Sequence, residues 1–266
     1  KGTGHAFCYA PASARYRGAA GEKPPLVVMA HGGPTGRAST TFSFKVQWWT
    51  SRGFAVVDVN YGGSTGFGRA YRQRLEGQWG VVDVDDCIAA CRYLADAGRV
   101  DPARIVIRGS SAGGLTVLLA LARSDLFAAG TSLYGVTDLR ALARDTHKFE
   151  SRYLDTLVGP YPADEATYLA RSPITRVADI RAPVLFLQGL DDTVVPPTQA
   201  ESMAAALRAQ GVPCALYEFA GEGHGFRQET TIRRAWELEL AFYQQVLKLP
   251  VSPALKVELT VDAPVA

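Results

Sequence analysis

Charge of a single sign is what this 266-residue sequence most lacks: 28 Lys and Arg stand against 26 Asp and Glu, a net charge of +2. So small an excess gives no electrostatic ground for holding nucleic acid or an anionic membrane surface, and neither partner is expected. No apolar run approaches the roughly 18 residues of a membrane span. Cysteine is scarce. Cys8, Cys87, Cys91 and Cys214 have spacings that make neither a zinc ligand set nor a disulfide framework. Cys87 and Cys91 lie four apart on a predicted helix and read as small buried apolar residues. No metal and no cofactor is therefore expected, and a reducing, cytoplasmic setting fits. No secretory signal stands at the start, but the first residue is Lys1 rather than Met, so a preceding segment is expected to be missing. Histidine is scarce too: His5, His31, His147 and His224 are the full set.

What is present is ample core material, with 47% hydrophobic residues, and a length that suits one large α/β domain or two small ones. Short runs rich in β-branched and apolar residues alternate with helical patterns. Strands are predicted at 6–9, 25–30, 53–61, 104–108, 128–134, 183–189 and 214–219. Helices are predicted at 83–97, 115–122, 198–210 and 233–247, with a polar helix ending near Trp79. Val84, Cys87, Ile88, Cys91 and Leu94 recur at helical spacing, with Asp83 and Asp85 as helix-start residues. This alternation predicts a doubly wound, mostly parallel sheet. Between 136 and 173 the pattern breaks into short helical pieces, which reads as an insertion over the strand ends. Residues 1–24 read as an N-terminal strand and linker, 25–249 as the catalytic domain and 250–266 as a tail without a clear partner.

The chain is organised around Gly109-Ser110-Ser111-Ala112-Gly113-Gly114. A buried strand precedes it and an apolar helix follows, which is the context that a nucleophile elbow, G-x-S-x-G, requires in an α/β-hydrolase. Ser111 is the candidate nucleophile. A serine hydroxyl needs a base, and the base an orienting acid. His224 follows the last strand in a glycine-rich loop that can carry an imidazole over the elbow. His31 precedes Gly32-Gly33 and reads as a loop-shaping residue. The acid should lie between Ser and His in chain order, and Asp191-Asp192 offers two candidates that spacing does not separate. Two N–H donors are needed for an oxyanion. Ala112 supplies one and the Gly32-Gly33 loop the other.

Five motifs together carry a resemblance: His31-Gly32-Gly33-Pro34, Asn60 to Gly68, Gly109 to Gly114, Gly189 to Pro196 and Gly223-His224-Gly225-Phe226. They resemble the catalytic domain of the prolyl oligopeptidase family of serine peptidases, closest to its acylaminoacyl-peptidase and dipeptidyl-aminopeptidase branch. The resemblance covers about Pro25 to Leu247. It implies an α/β-hydrolase fold, Asp191 as the acid and Gly33 as the favoured oxyanion donor, with Gly32 as an alternative. Some members carry at the position of His31 a tyrosine that serves the oxyanion hole; this chain must use a backbone amide. The resemblance also implies an acyl-side pocket after the fifth strand. Val136, Leu139 and Leu142 fall at helical spacing for one wall, and Phe149 and Tyr153 for the other. An N-terminal β-propeller is implied in the full-length protein. A homo-oligomer is left open.

The expected activity is cleavage near the N-terminus of short peptides, with a peptide or acyl-amino acid as the substrate. A carboxylesterase on the same residues is the alternative, and a hydrolase-fold module that only binds is the remote one.

Overall fold

The computed structural model describes residues 2–14, 17–145, 152–250, 255 and 259–262. In chain order they form β1 (His5–Tyr9), β2 (Leu26–Ala30), α1 (Phe44–Thr50), β3 (Ala55–Asn60), α2 (Arg69–Gln73), α3 (Val82–Asp96), β4 (Ile105–Ser110), α4 (Ala112–Arg123) and β5 (Ala129–Leu133). Then follow α5 (Leu139–Asp145), α6 (Tyr153–Leu157), α7 (Glu165–Ala170), a 3₁₀ segment (Pro173–Asp179), β6 (Val184–Gly189), α8 (Pro197–Ala209), β7 (Cys214–Phe219) and α9 (Glu229–Val246). The strands make one sheet in the order β1-β3-β2-β4-β5-β6-β7. All neighbours run parallel except β1, which pairs antiparallel with β3 at one edge. This is the mostly parallel, helix-flanked sheet of an α/β-hydrolase.

The apolar runs at 25–30 and 183–189 form strands covered on both faces. Every residue of β2, β5 and β6 is buried. Side-chain alternation then divides the core. Leu26, Val28 and Ala30 face one cluster with α3, α4 and α8, whereas Val27 and Met29 face a second with α1 and α9. A buried ion pair, Arg108 to Glu239 at 2.8 Å, fixes α9 against β4. Each charge is costly alone in that setting, so the pair sets the seat of the helix rather than adding much net stability.

Two expectations change. The polar helix before Trp79 stops at Gln73. Backbone N–H groups of Gly77 and Trp79 instead donate to the carbonyls of Thr156 and Leu157, so contacts with the insertion replace a further helical turn. The tail does find a partner. Asp262 N–H donates to the Cys214 carbonyl and Thr260 N–H to the Tyr217 hydroxyl, along the β7 edge. Among the described residues, no helix is long and apolar enough to cross a membrane.

Asp83 sits in the first turn of α3, not at its N-cap, which is Val81. Its carboxylate is fully buried and accepts from Gly80 N–H at 2.7 Å and from the Thr116 hydroxyl on α4. Burial pushes the carboxyl up to about 6, against the opposing pull of those two hydrogen bonds. A raised acid binds its proton more tightly folded than unfolded. Its contribution is therefore complete below pH ~4 and is lost as pH rises through about 6, up to roughly 3 kcal/mol in all. Thermal melts from pH 4 to 8 should show that Asp83→Asn removes a stability decline between about pH 4 and 6.5 seen in the wild type. Parallel curves would show that Asp83 is not the source.

Candidate active site

Ser111 stands at the junction of β4 and α4 with φ 56° and ψ −121°, a left-handed conformation that costs a non-glycine residue about 1–3 kcal/mol. Two close approaches hold it there. A Cβ on Gly109 would fall 2.3 Å from the Gly113 carbonyl oxygen, and one on Gly113 would fall 2.2 Å from that of Ala30. Only glycine permits strand and helix to meet so tightly. Ser111 N–H donates to the Leu133 carbonyl at 3.0 Å, and the Ser111 carbonyl accepts from Gly114 at 2.9 Å. The hydroxyl makes no helix-capping bond. It lies instead 2.8 Å from Nε2 of His224.

His224 Nδ1 is 2.8 Å from Oδ2 of Asp192, whose side chain has no solvent exposure. That contact fixes the tautomer: Nδ1–H donates to the carboxylate, and Nε2 accepts the Ser111 proton. The other oxygen, Oδ1, accepts from Val194 N–H and Val195 N–H, both at 2.9 Å. Burial alone would raise the Asp192 carboxyl, but the hydrogen bonds from His224, Val195 and Val194 outweigh it and hold the group below the usual carboxylate range. The ring of Tyr134 meets the imidazole edge to face at 5.1 Å between centroids.

The partner of His224 is thus Asp192, and Asp191 is corrected. Asp191 directs its backbone N–H to the Glu222 carbonyl at 2.9 Å and leaves its side chain exposed. The tight turn after β6 separates two adjacent carboxylates completely: one faces solvent, the other the imidazole. Nothing in the sequence singles out Asp192, because Asp191 is followed by backbone N–H groups at the same offsets.

His31 lies in the loop after β2, the expected oxyanion loop. Nδ1–H donates to the Gly32 carbonyl at 2.8 Å, and Nε2 lies 2.7 Å from the Ser64 hydroxyl. Burial lowers this imidazole below its ordinary value, more than the bond to Gly32 raises it, which favours the neutral ring. The Gly32 carbonyl and the Gly33 N–H belong to one planar peptide and point in opposite directions. His31 therefore orients the Gly33 N–H. Gly33 lines the cavity next to Ser111 and Ala112; Gly32 packs against Ser110 instead. Ala112 opens α4, so its N–H has no partner within the helix.

The cavity beside Ser111 has a volume of about 450 Å³. Val136, Leu142 and Tyr153 line it. Leu139 does not. The α5 helix starts at Leu139, so Val136 lies outside the helix and the assumed common face does not exist; Leu139 is fully buried in the core. Phe149 lies outside the described residues. Sequence reasoning missed Trp79, Tyr134, Leu154 and Val195 on the wall. The Tyr153 hydroxyl bonds Thr35 at 2.6 Å, tying α6 to the segment after the oxyanion loop.

Chemically, this arrangement lets a serine hydroxyl lose its proton to an imidazole as it attacks, beside backbone N–H groups able to receive negative charge. Residues 40–250 match the Prolyl oligopeptidase family. Dipeptidyl aminopeptidase BIII of Pseudoxanthomonas mexicana is 32% identical over 81% of this chain and 32% of its own length. The acylamino-acid-releasing enzyme of Arabidopsis thaliana is 31% identical over 77% of this chain and 28% of its own. The solved structure of a puromycin-hydrolyzing peptidase from Mycobacterium tuberculosis superposes with a TM-score of 0.91 at 52% identity, covering 93% of this chain and 38% of that one. The chain thus spans about a third of the length of these relatives, and it belongs to the prolyl oligopeptidase family.

Proposed function

We propose that the chain is the hydrolytic domain of a serine peptidase that releases residues, or acylated residues, from the N-terminal end of short peptides and aminoacyl amides. The observation that carries this reading is the unbroken chain Ser111 Oγ, His224 Nε2, His224 Nδ1, Asp192 Oδ2 at the mouth of a largely apolar cavity. In this reading Ser111 attacks the substrate carbonyl and its proton passes to Nε2. The tetrahedral oxyanion is held by the N–H groups of Gly33 and Ala112. As it collapses, His224 hands the proton to the leaving amine, and an acyl group remains on Ser111. Water, deprotonated by the same imidazole, then frees it. Asp192 holds the imidazole in the tautomer that this cycle needs.

The acyl side chain would enter the cavity lined by Trp79, Val136, Leu142, Tyr153 and Leu154. No Asp, Glu, Lys or Arg is among the described residues of that wall. An unpaired charge placed there would be costly, whereas one methylene more or less changes binding by only about 1–3 kcal/mol. Discrimination should therefore be steep against charge and shallow among apolar residues. Puromycin, which the M. tuberculosis relative hydrolyzes, is an aminoacyl amide with an aromatic side chain and suits such a wall.

Two outcomes follow. With a p-nitrophenyl ester and an aminoacyl anilide as substrates, Asp192→Asn should lower kcat by up to about 10⁴-fold, the cost of the wrong tautomer in a Ser-His-Asp site. Asp191→Asn should leave kcat within a few-fold of wild type; the reverse order would return the role to Asp191. In a panel of aminoacyl and acylaminoacyl anilides, Leu, Phe, Ala or Pro on the acyl side should exceed Lys, Arg or Glu in kcat/KM. Best turnover of Arg or Glu would show that acyl groups bind elsewhere.

A further inference from the structure

Glu222 lies two residues before His224 and is only 1% exposed. A carboxylate at that depth must have its oxygens hydrogen-bonded, and these are. One oxygen accepts from Arg227 N–H at 2.8 Å and the other from Gln228 N–H at 3.0 Å. The Thr231 side chain faces the carboxylate as well. These three residues are the entry and first turn of α9. Gln228, the N-cap of that helix, makes no side-chain capping bond of its own. Glu222 thus serves the end of α9 from six residues upstream, where a negative charge also suits the helix dipole. It closes the segment carrying His224 into a ring.

The other side of Glu222 holds the acid. Its backbone carbonyl accepts from Asp191 N–H at 2.9 Å. The end of β6 comes so close that a Cβ on Gly189 would fall 2.4 Å from that same oxygen. One residue therefore touches three elements: the helix that seats the base loop, the base loop, and the turn that carries Asp192. The helix is a firm reference, because Ala235, Leu238, Phe242 and Tyr243 are buried under the sheet and Glu239 is paired with Arg108. The base loop by itself is weakly determined. Gly223 and Gly225 flank His224, and the ring is still 22% exposed at its side chain.

Resting on the proposed roles of Ser111, His224 and Asp192, we propose that Glu222 is a positioning residue for the reaction. Its carboxylate clamps the His224 loop to the start of α9 and, through its carbonyl, to the acid turn, and so keeps base, acid and nucleophile in register. A misplacement of about 1 Å at a reacting group costs on the order of 10²-fold in rate.

The test compares wild type, Glu222→Gln, Thr231→Val and Ser111→Ala for p-nitrophenyl ester hydrolysis and for the rate of fluorophosphonate labelling, with thermal melts alongside. Glutamine keeps the shape but turns an amide NH2 group, a donor, toward one of the two backbone N–H groups. Glu222→Gln should lower kcat and the labelling rate about 10- to 100-fold, with KM within about twofold and a folded protein at 25 °C. Thr231→Val, which removes the hydroxyl beside the carboxylate, should show a smaller fall in kcat, also without a change in KM. If folded Glu222→Gln keeps wild-type kcat and labelling and only melts earlier, Glu222 is structural and the proposal fails. If Glu222→Gln does not fold, an unchanged kcat in Thr231→Val overturns it. A wild type that neither turns over nor labels would instead refute the reading of the site itself, which separates the two failures.

Discussion

The contact between β4 and α4 is the constraint from which the site is built. Gly113 lies against the carbonyl of Ala30 at a distance that no side chain allows, and Gly109 lies as close to Gly113. The turn between strand and helix is forced to be sharp, and Ser111 takes the left-handed backbone that this demands. Strain at one residue is small against the burial of α4, ten of whose residues are in the core. The packing of the helix thus holds the serine in a conformation that a free chain would leave. It also leaves the first helical N–H, that of Ala112, beside the hydroxyl.

Around that turn, buried polar groups each fix one element to another. Arg108 and Glu239 seat α9 on the sheet. Asp83 ties α3 to α4 through Thr116. His31, held by Ser64, orients the peptide that ends in the Gly33 N–H. Asp192 gives one oxygen to the amides of its own turn and the other to His224. Glu222 joins the acid turn to the base loop. A buried polar group left unpaired is costly, so each of these bonds has few alternatives and the geometry is specified where apolar packing alone would leave slack.

Much of this was legible in the sequence. The strand, glycine-flanked serine and helix are a local pattern, and the continuous apolar runs mark strands covered on both faces. Ser111 and His224 could be singled out because each follows a strand at the end where such sheets carry their ligands. The acid was harder. Asp191 and Asp192 occupy one tight turn, in which a step of one residue moves a side chain from the imidazole to solvent; spacing left that step open, and the resemblance implied Asp191, on the solvent side. The pocket was misread at Leu139 for a related reason. A helical spacing was assumed for Val136, Leu139 and Leu142, but the helix begins only at Leu139, and Leu139 packs inward. Trp79 and Leu154 reach the wall through hydrogen bonds between the irregular segment before α3 and the end of α6, a tertiary contact with no periodic trace in the sequence. Tyr134 also lines the wall, with a left-handed φ of 39° that its residue type gives no reason to expect.

The central claim is that Ser111 attacks while the amides of Gly33 and Ala112 receive the charge. A crystal structure of the protein reacted with an organophosphonate tests it most directly. The account predicts a covalent bond to Ser111 Oγ, with the phosphonyl oxygen about 2.7–3.1 Å from both Gly33 N and Ala112 N and Asp192 still on Nδ1 of His224. An adduct on another residue, or a phosphonyl oxygen turned away from both amides, would contradict it.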